Sequence, residues 1–189
     1  MFLLVLVAYV IGTFPSAILI ARANGIDIST FGSGNPGASN VTRALGWRKG
    51  AWVYALDAGK GALAAALGLA LDGRPMAYWC AAAAVIGHMY PVFRRFKGGK
   101  GVATAFGIVL AVQWRLGALP LAFFVAALWL TRHVSLGSIL AALMLPLEVV
   151  LLALSGPYGG FRALGEHAPY LMAWTFIAVL VIAKHHENI

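Results

Sequence analysis

The residues able to do chemistry gather in three short stretches. The first is Gly32-Ser-Gly-Asn-Pro-Gly-Ala-Ser-Asn40, followed by Val41, Thr42 and Arg43. Gly32, Gly34 and Gly37 let the backbone approach a ligand closely. Ser33, Asn35, Ser39 and Asn40 add hydroxyl and amide groups, and Arg43 suits bidentate contact with a phosphate. On composition alone, a turn-rich linker explains these residues equally well. The second stretch is Phe96-Lys-Gly-Gly-Lys-Gly-Val-Ala-Thr104. Its Gly98, Gly99 and Gly101 precede a helix start, where exposed N–H groups and the helix dipole, with Lys97 and Lys100, would form a phosphate nest. The competing reading is a pair of lysines that anchors a helix end. A Walker A loop is excluded, because Gly101 follows Lys100 where Ser or Thr is required and no strand precedes it. The third stretch is Lys184-His-His-Glu-Asn-Ile189, in which His185 and Asn188 share a face if the helix continues. His185 and His186 are adjacent and diverge, so no metal site is expected.

The elements that must position these groups are set by composition. The chain has 189 residues, of which 61% are hydrophobic and 11% charged, against about 25% charged in a soluble domain. The net charge of +8 is scattered between long apolar runs, which excludes a soluble nucleic-acid binder. Cys80 is the one cysteine, which excludes a disulfide scaffold. A membrane span needs about 20 mostly apolar residues. Residues 2–21 form a first span that Pro15 should kink, and with no basic segment before it this run reads as a span and not a cleaved signal peptide. Further spans are expected near 51–71, 75–93, 135–156 and 168–184. As one helix, residues 101–131 would be roughly 46 Å long, too long for a core of about 30 Å. Arg115, Gly117 and Pro120 therefore predict a turn between two helices, for seven spans in all.

The positive-inside rule orients the bundle. With the N-terminus outside, the inner connections hold Arg22, Arg43, Arg48, Lys49, Arg94, Arg95, Lys97, Lys100, Arg132 and Lys184. The outer ones hold only Arg74, Arg115 and Arg162, and Lys60 lies inside a span. The expectation is one all-α polytopic membrane domain over 1–189, with seven transmembrane helices, N-terminus outside and C-terminus cytoplasmic. All three polar stretches then lie on the cytoplasmic face. Within the spans, Asp57 and Lys60 are three apart, and either neutralise each other or serve a substrate. His88 either satisfies a carbonyl or binds a ligand. His133, Ser135 and Ser138 cluster at the inner end of spans five and six, where the serines read as packing or hydrogen-bonding glue, and Glu148 has no assigned role.

Together the three stretches resemble the bacterial PlsY family, the membrane acyl-phosphate:glycerol-3-phosphate acyltransferases. GSGNPGASNVTRALG (32–46) is similar to the family's first motif, with Ser39 where Thr is usual. GHMYPVFRRFKGGKGVAT (87–104) is similar to the second, and TRHVSLGSI (131–139) resembles another family stretch, with His133 where Tyr is common. KHHENI (184–189) resembles the third motif, with His186 where a second Arg is often found. Family members usually continue with a short basic tail, so a truncated tail is expected after Ile189.

The resemblance implies transfer of an acyl group from acyl phosphate to the 1-hydroxyl of glycerol 3-phosphate, with no cofactor, in a bacterial cytoplasmic (inner) membrane and with the site facing the cytoplasm. It implies Ser33, Arg43, Lys100, His185 and Asn188 as catalytic residues. Gly32, Gly34, Asn35, Asn40, Lys97, Gly98, Gly99, Gly101 and Thr104 are implied as the substrate and phosphate site. The implied partners are the two substrates, the bilayer and the enzyme that makes acyl phosphate, and no nucleic acid. A competing class is a small transporter of an organic phosphate, for which internal repeats and a midplane site would be expected. No repeat is found, and the polar groups gather at one face. A purely structural membrane subunit would not need the glycine-rich, lysine-paired loop.

Overall fold

The computed structural model describes residues 2–155 and 161–186, and no strand occurs among them. The helices are α1 (Phe2–Gly12), α2 (Ser16–Arg22), α3 (Ala38–Leu45), α4 (Trp47–Met89), α5 (Val102–Gln113), α6 (Ala118–Thr131), α7 (Val134–Ser155) and α8 (Phe161–Ala183). Short 3-10 turns cover Val92–Arg94 and Trp114–Gly117. Among the described residues, four stretches are long and apolar enough to cross a membrane, namely Phe2–Arg22, Trp47–Arg94, Val102–Thr131 and Val134–Leu154, and His167–Ala183 is a shorter apolar helix. The chain forms two compact units, Met1–Val112 and Gln113–Ile189.

In the first unit the expected kink at Pro15 is a full break. Proline has no N–H to donate, and α1 ends at Gly12 before α2 begins at Ser16. Phe2, Leu3, Leu6 and Val10 of α1 stay exposed, as suits a lipid-facing side, while Ala8 and Gly12 are buried. α4 leaves helical geometry at Asp72 (φ −150°) and Gly73 (φ 75°), a conformation glycine adopts without strain. A Cβ at Gly68 would lie 2.8 Å from the Cα of Ala77. In a straight helix residues nine apart are about 13 Å apart, so the two arms, 47–71 and 74–89, fold back on one another. These arms cover the residues where the second and third spans are expected, and the second arm stops at Met89, short of the expected Phe93.

Small residues set how closely the helices approach. Gly12 and Gly87 let α1 cross the second arm of α4, where an added Cβ would strike the backbone of Ala84 or Tyr9. Gly61 and Gly107 do the same for α4 and α5, against Thr104 and Ala58. The Tyr9 hydroxyl donates to the Tyr90 carbonyl at 2.9 Å and accepts from the Val92 amide at 3.0 Å, tying α1 to the chain that leaves α4.

In the second unit, α7 packs against both α6 and α8. The turn expected near Arg115–Pro120 begins earlier, at Gln113 (φ −152°, ψ 60°), and Pro120 falls in the first turn of α6. A proline there loses no intrahelical hydrogen bond, which is why it starts a helix instead of breaking one. Ser138 donates to the Val134 carbonyl at 2.8 Å within its own helix, and His133 is exposed.

Gly87→Val should lower the detergent-solubilised melting temperature by several degrees, as about 1–3 kcal/mol of overpacking predicts. Gly59→Ala, where nothing lies within 4 Å of the added Cβ, should leave it unchanged or raised.

Candidate active site

The first stretch folds as a loop closed by one side chain. Asn40 is buried, and its Nδ2 donates to the carbonyls of Ile28 (3.2 Å) and Phe31 (2.9 Å). Its Oδ1 accepts the Ser33 amide at 3.4 Å and lies where a Cβ on Gly32 (φ 56°) would be. Gly34 (φ 66°) passes close to the Ser29 carbonyl. Asn40 is therefore spent on loop shape, and the loop presents Ser33 and, from the last turn of α3, Arg43 as exposed groups. At the base of the loop Asp27 accepts both the hydroxyl and the amide of Ser29. The Ser29 hydroxyl, then its amide, hold that carboxyl below the usual range.

The second stretch is pinned to the end of α4. The Gly98 amide donates to the Met89 carbonyl and the Gly99 amide to the His88 carbonyl, each at 3.1 Å. This corrects the expected nest in part: those two N–H groups satisfy the orphan carbonyls of a helix end, and their geometry does not leave them for a phosphate. The glycines answer a steric need as well. A Cβ on Gly98 would meet the His88 carbonyl, and one on Gly99 the His88 ring. Arg95 (φ 51°) and Phe96 (φ 61°) are non-glycine residues in the left-handed region, a strain of about 1–3 kcal/mol each. Lys97 is exposed and Lys100 half-buried, on either side of the two glycines. Thr104 is fully buried at the α4–α5 crossing, its hydroxyl without a hydrogen-bond partner among the described residues.

Behind this loop lies a buried charged cluster. Asp57 Oδ1 accepts the Ser16 hydroxyl at 2.6 Å and Lys60 Nζ at 2.8 Å, and His88 Nδ1 is 3.6 Å away. Lys60 also donates to the Phe14 carbonyl at 2.9 Å. Asp57 and Lys60 thus pair as one of the two readings required. The pair additionally fastens the Pro15 break, since both Phe14 and Ser16 are held. With residue exposures of 2% and 7%, removing either partner would leave a lone buried charge, at a cost of about 3–5 kcal/mol.

Asp57, Lys60, His88, Ser16, Pro36, Arg94, Gly98 and Gly99 line one open cleft. Pro36 of the first loop and the glycines of the second therefore share it, while Ser33, Arg43, Lys97 and Lys100 stand outside its lining. Sequence alone does not single out Arg94 and Ser16, which line this cleft. Arg94 reads in sequence as one more cytoplasmic arginine, yet its Nη1 is buried without a partner among the described residues. A signal for Ser16 was present in its place directly after the helix-breaking Pro15.

In the second unit His185 is buried in the turn after α8, its Nδ1–H donating to the Val181 carbonyl at 2.7 Å. Because a carbonyl only accepts, the neutral ring carries its lone pair on Nε2. His186 is exposed, so the two rings diverge as expected. Asn188 lies outside the described residues.

An apolar helical body whose polar side chains collect in glycine-rich, basic loops defines an integral membrane protein built to handle anionic groups. Comparison with known proteins makes this specific. Residues 2–189 match the family described as glycerol-3-phosphate acyltransferase. A glycerol-3-phosphate acyltransferase of Geobacter sulfurreducens is 43% identical over 99% of this chain and 91% of its own. One from Deinococcus radiodurans is 40% identical over 99% and 89%. The crystal structure of PlsY (YgiH), an integral membrane glycerol 3-phosphate acyltransferase, in its glycerol 3-phosphate form, superposes with a TM-score of 0.88. It is 36% identical and covers 99% of this chain and 88% of its own. Its lysophosphatidic acid form gives 0.84. The chain belongs to the glycerol-3-phosphate acyltransferase family and is an acyltransferase, which sets aside the transporter reading.

Asn40→Ala leaves two carbonyls and the Ser33 amide without their partner. Protease cleavage within 28–36 should accelerate while amide protection in α4 is kept; unchanged cleavage would show that the loop holds its shape without Asn40.

Proposed function

We propose that this protein transfers the acyl group of acyl phosphate to the 1-hydroxyl of sn-glycerol 3-phosphate, releasing 1-acylglycerol 3-phosphate (lysophosphatidate) and phosphate, the first step of bacterial phospholipid synthesis. The observation that carries the reading is a solved relative, similar over 99% of this chain, known in one form with the acceptor and in another with the acylated product. In the proposed topology the α1–α2 pair, the two arms of α4, and α5, α6, α7 and α8 make seven spans. The N-terminus is outside, and the C-terminus and the polar loops are cytoplasmic at a bacterial inner membrane. The concentration of basic residues in alternate connections supports this. The enzyme that makes acyl phosphate is a natural partner, since it would deliver a reactive donor at the same membrane face.

Acyl phosphate is a mixed anhydride, so attack by an alcohol needs no covalent enzyme intermediate. The hydroxyl oxygen bonds to the acyl carbon, the carbon–oxygen bond to phosphate breaks, and the electron pair leaves on phosphate. The difficulty is holding two mutually repelling phosphates together. Arg43, Lys97 and Lys100 supply the opposing field and stabilise charge as it moves onto the leaving group. Ser33, His185 and Asn188 orient the hydroxyl and phosphates, and part of the roughly 7–11 kcal/mol available to ideal positioning is gained there. The acyl chain remains in the bilayer or between helices. The hydroxyl proton passes either to His185 Nε2, the lone-pair side of the ring, or to a substrate phosphate oxygen.

Purified protein with glycerol 3-phosphate should form lysophosphatidate from acyl phosphate and not from acyl-CoA or acyl carrier protein; product from either of the latter alone would overturn the donor assignment. Lys100→Ala should lower kcat/KM at least about 100-fold, in the range of a lost charge-stabilising donor, and unchanged kinetics would remove Lys100 from the site. His185→Gln separates the two bases: a fall in kcat of about 100-fold or more marks His185, whereas near-normal kcat with raised KM marks the phosphate.

A further inference from the structure

We infer that His88 is a positioning residue for the glycine–lysine loop, oriented in turn by Asp57. The imidazole sits between two things that fix it. On one side Nδ1 faces Asp57 Oδ1 at 3.6 Å, and that oxygen is itself held by Ser16 at 2.6 Å and Lys60 at 2.8 Å. On the other side the ring lies directly against Gly99, so closely that an added Cβ would overlap Nε2. The backbone of the same residue completes the grip, because the His88 carbonyl accepts the Gly99 amide and the neighbouring Met89 carbonyl accepts that of Gly98. Lys100 is the next residue.

The glycine itself identifies the ring as the constraint. Gly99 is absent from the residues with positive φ, so its backbone conformation would tolerate alanine. What forbids a side chain there is the three-way contact with His88 Nε2, Cε1 and Cδ2. A neutralised ion pair and a hydroxyl hold the ring from behind, giving it a fixed place on the rigid helical frame. The strained Arg95 and Phe96 just before the loop need such a frame, since left-handed non-glycine residues persist only where surrounding structure imposes them. His88 touches no reacting atom in this scheme; it acts through the place it gives Lys100. The inference rests on the reading of Lys100 as a phosphate-holding cation, and a displacement of about 1 Å in such a group costs about 100-fold in rate.

The test combines kinetics with amide hydrogen exchange on the full-length protein in detergent. His88→Ala should lower kcat/KM with acyl phosphate about 100-fold, carried mainly by kcat, and should speed exchange at 97–101 above any change elsewhere in α4. His88→Asn, which restores a side-chain N–H near the Nδ1 position, should recover activity to within about tenfold and return loop exchange toward the wild-type rate. Gly99→Ala should be impaired like His88→Ala, and the double variant should be no worse than His88→Ala, because the clash is gone. Wild-type kinetics in His88→Ala, a uniform rise in exchange with no excess at 97–101, no rescue by Asn, or multiplying losses in the double variant would each overturn the inference. Exchange is read whichever donor proves correct. A wild-type enzyme inactive with acyl phosphate would therefore count against the proposed reaction, while faster loop exchange in His88→Ala would still support the positioning role.

Discussion

Lys60 Nζ, Ser16 Oγ and His88 Nδ1 converge on a single carboxylate oxygen of Asp57, deep in an otherwise apolar helical unit. A buried charge must be paired and a broken helix must have its backbone satisfied, since either left without a partner is costly away from bulk water. The cluster meets both demands at once. Lys60 neutralises Asp57 and caps the Phe14 carbonyl exposed by the break at Pro15, while Asp57 takes the hydroxyl of Ser16 on the far side of that break. One ion pair thus joins the N-terminal helices to both arms of α4, and through His88 to the loop that leaves it.

From that fixed point the remaining architecture follows by close approach. Glycines at 12, 61, 87 and 107 bring helix backbones together where any Cβ would collide. Association of helices in lipid depends on such packing, since lipid chains offer no hydrophobic gain for burying an apolar face. The rigidity achieved matters because the loops it carries are not rigid by themselves. The 28–40 loop depends on Asn40, and the 97–101 loop on two carbonyls and a histidine ring. Among the cationic side chains of these segments, Arg43 and Lys97 are exposed and Lys100 is half-buried. Polar side chains with short reach, Asn40 above all, shape the loops.

Much of this was legible beforehand, for definite reasons. The turn between the arms of α4 was readable because Asp72, Gly73, Arg74 and Pro75 interrupt two apolar runs, and the Pro15 break because proline cannot donate. The chemical stretches were readable because glycine, lysine, serine and asparagine are conspicuous in so apolar a chain. Their internal roles were not. Asn40 and Gly98 look in sequence like ligand contacts, whereas the side chain of one and the amide of the other are engaged in holding the loops. Arg94 was hidden among cytoplasmic arginines, and the break at Gln113 precedes the Gly117 and Pro120 that announced it.

The sequence by itself determined the solvent, the helical class, the family and which few side chains carry charge, since these depend on residue type and order along the chain. Tertiary structure decided which of those polar groups are brought together. Whether an amide, a carboxylate or an imidazole meets a partner depends on groups far apart in sequence, as Ser16, Asp57, His88 and Gly99 are, and such meetings are settled by how closely helices pack and where each one ends.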